Sequence, residues 1–257
     1  MKSFINHYHG IRITFTELFK GKYLVYFIPG VVVSIIYWYF VFKANSIEIS
    51  TATDTGYSWV DWATGWVDTG VSKVVDYSKS LLGTIMGHVY AFVILTFLSP
   101  FNTSLAEKLD NSQTGNVFDS NVIRFINDFI RMIFVVILAV FLEFALMLLY
   151  WLVSWMFGLD AIDPVVYHII AAFFFGFSFY DFGLERYQKG VFTSLYYAFE
   201  KPLTMILTGT IFLLIYEIPY IGIPLAPVLT VMISTIVYLY NEKKLPVSSQ
   251  NKQIENE

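Results

Sequence analysis

Hydrophobic residues in this chain are gathered into four long blocks separated by shorter polar segments. The first, Tyr23–Phe42, has no charged residue and predicts a helical span, with a kink expected at Pro29-Gly30. The second, Ser80–Ala106, runs 27 residues without Asp, Glu, Lys or Arg, more than the roughly 20 needed to cross a bilayer. It ends in Ser99-Pro100-Phe101-Asn102-Thr103-Ser104-Leu105-Ala106-Glu107, which predicts a proline turn and then the start of a new, charged helix. The third, Met132–Tyr180, is broken by Glu143, Asp160 and Asp163-Pro164 and predicts a helical hairpin with its tip at Gly158–Pro164. The fourth, Pro202–Asn241, is broken by Glu217-Ile218-Pro219-Tyr220-Ile221-Gly222-Ile223-Pro224, the tip of a second hairpin. Its first arm, Pro202–Tyr216, has only 15 residues. As helix it would reach about 22 Å, short of a hydrocarbon core of roughly 30 Å. The predicted fold is all-α and polytopic: two long transmembrane helices followed by two hairpins, with full crossing and half-penetration both left open.

The linking segments carry helical amphipathicity. Ile11, Phe15, Leu18 and Phe19 share one face, and Val122, Ile126, Phe129, Ile130 and Ile133 share another, so both segments are expected to lie at the membrane interface. Trp59, Trp62 and Trp66 fit an aromatic belt ahead of the second span. Residues 1–242 therefore read as one integral-membrane domain, and 243–257 as a polar, disordered tail.

Composition agrees with this. The chain is 56% hydrophobic and 14% charged, against roughly 25% charged in soluble domains. A net charge of −4 excludes a basic nucleic-acid-binding face, and the lack of cysteine excludes disulfides and thiolate chemistry. The first block is too long for a cleaved signal and has no good cleavage site, so it reads as a retained span. Of the 16 Lys and Arg, thirteen fall on the amino-terminal side of the predicted topology and three, all in Lys43–Lys79, on the other. The positive-inside rule then puts both termini in the cytoplasm, as in a multi-pass bacterial inner-membrane protein. No HExxH, GxSxG or GxxxxGK[ST] motif occurs, so neither an enzyme nor a cofactor or metal site is expected.

Glu143 and Glu217 interrupt apolar runs, where ionisable groups are costly and face a cavity or a partner. Glu217, beside a tip, reads as exposed. Glu143 lies deeper with no partner apparent, and reads equally as a pathway residue or a structural one. His88 and His168 read as hydrogen-bonded core residues, and His7-Tyr8-His9 as incidental. Gly176, Gly183 and Gly190, spaced at seven, are not assigned a role.

Pro100-Phe101-Asn102 followed by Leu105-Ala106-Glu107-Lys108-Leu109 resembles the proline-phenylalanine-asparagine turn and leucine-alanine-glutamate helix of the CysZ-type sulfate transporter family, which shares a domain with the etoposide-induced membrane proteins. Tyr180-Asp181, Ile218-Pro219, Ala226-Pro227 and the leading segment Gly10–Lys22 resemble further family features in the same order. The resemblance implies a helical inner-membrane protein with hemi-penetrating hairpins, homo-oligomeric assembly and sulfate uptake. Two features differ from the family pattern. Gly21-Lys22-Tyr23 offers one cation where a basic pair is usual, and Gly158–Pro164 is acidic where glycines are usual.

Binding a tetrahedral oxyanion needs N–H groups, hydroxyls and cations. Gly21 and Lys22 offer backbone donors and one charge, with interfacial anchoring as the plainer role for Lys22. Asn102, Thr103 and Ser104 offer N–H groups and hydroxyls at the expected helix start, with simple capping as the plainer role. Glu107 reads either as lining a wet pathway with Lys108 or Arg124, or as part of a solvated pair. The expected function is an anion permease or channel, most directly for sulfate or a related oxyanion, with the lipid bilayer and further copies of the chain as partners. The alternative is a non-transporting membrane scaffold of the same fold.

Overall fold

The structure, a computed structural model, describes residues 2–46, 69–116 and 122–245. Trp59, Trp62, Trp66 and the tail beyond Leu245 lie outside the described residues. The described chain is all-α: α1 (Lys2–Phe19), a 3-10 turn (Leu24–Tyr26), α2 (Phe27–Ser46), α3 (Thr69–Thr114), α4 (Val122–Phe157), α5 (Asp163–Arg186), α6 (Val191–Glu200), α7 (Pro202–Tyr216) and α8 (Gly222–Asn241). Four stretches, in α3, α4, α5 and α8, are long and apolar enough to cross a membrane, and up to six if the bent pairs α1–α2 and α6–α7 each count as one span.

α8 is the axis of the bundle. It touches α1, α2, α3, α5 and α7, while α4 sits outside against α3 and α5. The closest crossing joins α5 to α7, because neither helix puts a side chain between the backbones. A Cβ at Gly176 would fall on the Met205 backbone, and one at Gly209 on that of Ala172. Small residues are what let helices approach in lipid, where burying apolar surface gives no drive. Phe92, Phe175 and Phe212 fill the space among α3, α5 and α7, with Phe92 and Phe175 stacked at 4.1 Å and Phe175 and Phe212 at 4.9 Å.

Several expectations change. The bend near the first block is 101° and lies between α1 and α2, not at Pro29-Gly30. Pro29 sits in the first turn of α2, where a helix has no use for its missing N–H. α3 runs unbroken through Pro100 for 46 residues, so Asn102–Ser104 do not start a helix. Proline is tolerated inside such helices because neighbouring groups re-satisfy the freed carbonyl. Residues 122–133 are the first turns of α4 rather than a separate interfacial helix. The first hairpin has arms of 36 and 24 residues joined at Gly158–Ile162, with Gly158 at φ 63, and only the second hairpin has a short arm.

α1 lays its polar face on the bundle. Asn6, His7, Gly10 and Thr14 face the protein, while Phe4, Ile5, Tyr8, Phe15 and Phe19 are exposed. Asn6 donates to Asn241 at 2.7 Å, His7 Nε2 lies 2.8 Å from Thr208 Oγ1, His9 stacks on Tyr240, and Gly10 abuts Val237. The His7-Tyr8-His9 stretch is thus part of the seam that docks α1 on α7 and α8, not incidental.

Candidate functional site

The α1–α2 turn lies along the last turns of α3. Gly21 adopts φ 77, a left-handed conformation that favours glycine, and turns the chain there. The Tyr26 hydroxyl is 3.3 Å from Ser104 Oγ, and Tyr23 donates to Ser112 Oγ at 3.1 Å. Lys108 donates to the Lys22 carbonyl at 3.3 Å and lies over the rings of Tyr23 and Tyr26. Gly21, Lys22 and Ser104 therefore share one exposed surface with Lys108. Asn102 and Thr103 do not join it; both are buried, and Asn102 Nδ2 has no hydrogen-bond partner among the described residues. Their backbones are inside a continuous helix, so the expected set of free N–H donors does not form.

Behind that surface is a charge network that spacing in the sequence did not suggest. Arg186, at the end of α5, and Asp110 of α3 are 3.4 Å apart, and both side chains are 0% exposed. Arg186 also donates to the carbonyls of Ala106 and Gly183. Asp110 accepts from Tyr187 at 2.8 Å and from Thr114 at 2.9 Å. Glu107 lies one turn earlier, within the field of Arg186, while Lys108 turns to the α1–α2 turn. The side chain of Arg124 is outside the described residues. Lys244 closes the network, 3.0 Å from the Tyr187 ring centre and 3.2 Å from the Tyr238 hydroxyl. Burial lowers the Lys244 pKa, against the opposing pull of Asp110 and Glu242. Burial raises that of Tyr187, helped by its bond to Asp110, so this hydroxyl stays a donor at neutral pH.

Two more pairs tie the outer helix to the bundle. Arg131 of α4 makes a two-pronged bond to the buried Asp181 of α5, at 3.0 and 2.6 Å, and also donates to the Lys189 carbonyl and to Ser194. Farther along α4, Glu143 is buried with Oε1 2.6 Å from Nδ1 of His88. The His88 ring meets Phe175 edge-on, and Glu143 Oε2 has no hydrogen-bond partner among the described residues. Glu143 thus has a partner 55 residues away in the chain. His168 Nε2 lies 3.2 Å from Thr210 Oγ1, as expected of a core histidine, and Glu217 is exposed.

Charged and polar groups therefore converge where α3, α5 and α8 end together. Lys22 and Lys108 lie on the exposed side of this end, with the buried Arg186 behind them already engaged by Asp110. Among the described residues no group of His, Asp and Glu could hold a metal ion. No protein-family model and no curated protein sequence matches this chain.

Proposed function

We propose that this chain is a membrane permease or channel for an inorganic oxyanion, with sulfate the leading candidate. We place it in a bacterial inner membrane with both termini cytoplasmic, assembled as a homo-oligomer. The observation that carries the reading is the exposed surface at the α1–α2 turn, where the Lys108 ammonium reaches the Lys22 carbonyl and the Ser104 hydroxyl meets that of Tyr26. It supplies the donor types an oxyanion needs when it loses water. An anion moving inward from there would compete with Asp110 for Arg186. Transport in this reading is passive or coupled to an ion gradient, and whether the α7–α8 hairpin crosses fully is part of the same proposal.

One observation favours a second reading, a non-transporting scaffold. Three buried acidic groups each face a basic partner, Asp110 with Arg186, Asp181 with Arg131 and Glu143 with His88, as a purely structural interior would require.

Radiolabelled sulfate uptake into proteoliposomes separates the two. The permease reading expects saturable uptake that phosphate and chloride compete for poorly. Lys22→Ala with Ser104→Ala is expected to lower it by about tenfold at low sulfate, the worth of a charged hydrogen bond. No flux from folded protein would leave the scaffold.

A further inference from the structure

The end of the bundle that carries the hairpin tips holds a different chemistry. There Tyr37 and Trp38 of α2 meet Tyr216, Glu217 and Tyr220 of the α7–α8 turn around a cavity of about 130 Å³. The rings are held in place by each other: Trp38 and Tyr220 lie 4.5 Å apart, and Tyr37 and Trp38 5.2 Å apart. The turn is fixed to α2 as well, since Ser34 donates to the Tyr220 carbonyl at 3.2 Å and Gly30 abuts Pro224.

Two groups there are left without partners. The Glu217 carboxylate makes no hydrogen bond or ion pair among the described residues, and 217–224 contains no Lys or Arg. The indole Nε1–H of Trp38 is buried and has no acceptor among the described residues. Aromatic faces are negative and attract cations, most strongly those of Trp, and a carboxylate adds a full charge of the same sign. The indole N–H requires the opposite, an acceptor oxygen. A ligand carrying an ammonium and a phosphate a few bonds apart satisfies both.

We propose that this cavity binds the zwitterionic headgroup of a phospholipid, its ammonium between Glu217 and the rings and a phosphate oxygen on Trp38 Nε1. The surroundings favour a lipid over a free solute. Ile218, Tyr220 and Ile221 beside the cavity are 41%, 67% and 50% exposed, and α2 presents Ile35 and Ile36 outward, an apolar surface for acyl chains. The site is independent of the oxyanion surface at the opposite end. It also differs from general aromatic anchoring at an interface, which requires neither a carboxylate nor a particular headgroup.

The test uses the full chain in dodecylmaltoside with ¹⁵N-labelled indoles, the Trp38 resonance being the one lost in Trp38→Phe. Dihexanoyl phosphatidylethanolamine is expected to shift that resonance saturably, and dihexanoyl phosphatidylglycerol to do so about tenfold more weakly. Glu217→Gln is expected to weaken the ethanolamine lipid by about tenfold. Glu217→Lys, the second variant, is expected to reverse the preference between the two lipids. Equal response to both lipids, or no effect of either variant, would overturn headgroup recognition. Saturation by free ethanolamine at the same concentration as the lipid would overturn the assignment to lipid.

Discussion

α4 and α8 bury themselves in the reverse order of their hydropathy. The most apolar stretch of α4 has a mean hydropathy of 2.9 and is 28% buried, while that of α8 has 1.9 and is 94% buried. In water the more apolar helix would be the inner one. In lipid, apolar surface gains nothing by turning inward, so burial goes to helices with small side chains and hydrogen-bonding groups. α8 supplies Gly222, Ala226, Thr230, Ser234 and Thr235 to the interior. α4 turns in a narrow stripe that includes Met132, Val135, Ala139, Glu143, Met147 and Ser154, leaving residues such as Phe141 and Leu149 outside.

This contrast can be broken by substitution. The largest effect is expected at Arg186→Ala, which strands Asp110 as a lone buried charge and costs about 3–5 kcal/mol. Unfolding in detergent reads it, and Arg186→Gln with Asp110→Asn should recover most of the loss. Next is Gly209→Ala, whose methyl group would occupy the Ala172 backbone. Forcing α5 and α7 apart is expected to cost about 2 kcal/mol by the same assay. The smallest is Leu149→Ala on the outer face of α4, expected within about 0.5 kcal/mol of the parent. If Leu149→Ala costs as much as Gly209→Ala, then α4 is covered by protein rather than lipid, and an interface between copies would be the reason.

The same inversion explains what could be read in advance. The apolar runs marked the long helices and both interhelical turns, since run length and proline placement follow from helix geometry and backbone chemistry, but α2, in the first block, counts toward a span only together with α1. The apolar pattern of α1 speaks only for the face turned to the membrane; the face it lays on the bundle is signalled by the spacing of Asn6, Gly10 and Thr14. Pro100 was read as a turn because proline breaks helices in water. Glu143 was marked as unusual, yet its partner His88 lies on another helix and no local spacing connects them. Arg186 enters the sequence reading only within the count of basic residues, and only tertiary placement shows it fully enclosed beside Asp110. At the expected oxyanion site, Gly21 and Lys22 do sit beside Ser104, but the donors of Asn102 and Thr103 do not join them because α3 continues.

The central position of α8 also sets an order of events during synthesis. Of the eight helices described, the one that α1, α2, α3, α5 and α7 all touch emerges last from the ribosome. α1 is inserted with its Asn6, His7 and Gly10 seam uncovered, and its counterpart at Val237–Asn241 follows more than two hundred residues later. At 5–20 residues per second that interval is roughly ten to fifty seconds. Through it the earlier helices hold polar groups in lipid with no partner helix. The nascent chain is therefore most exposed to mispairing and quality control just before α8 emerges, and a nonsense mutation ahead of α8 would release helices with no axis to assemble on.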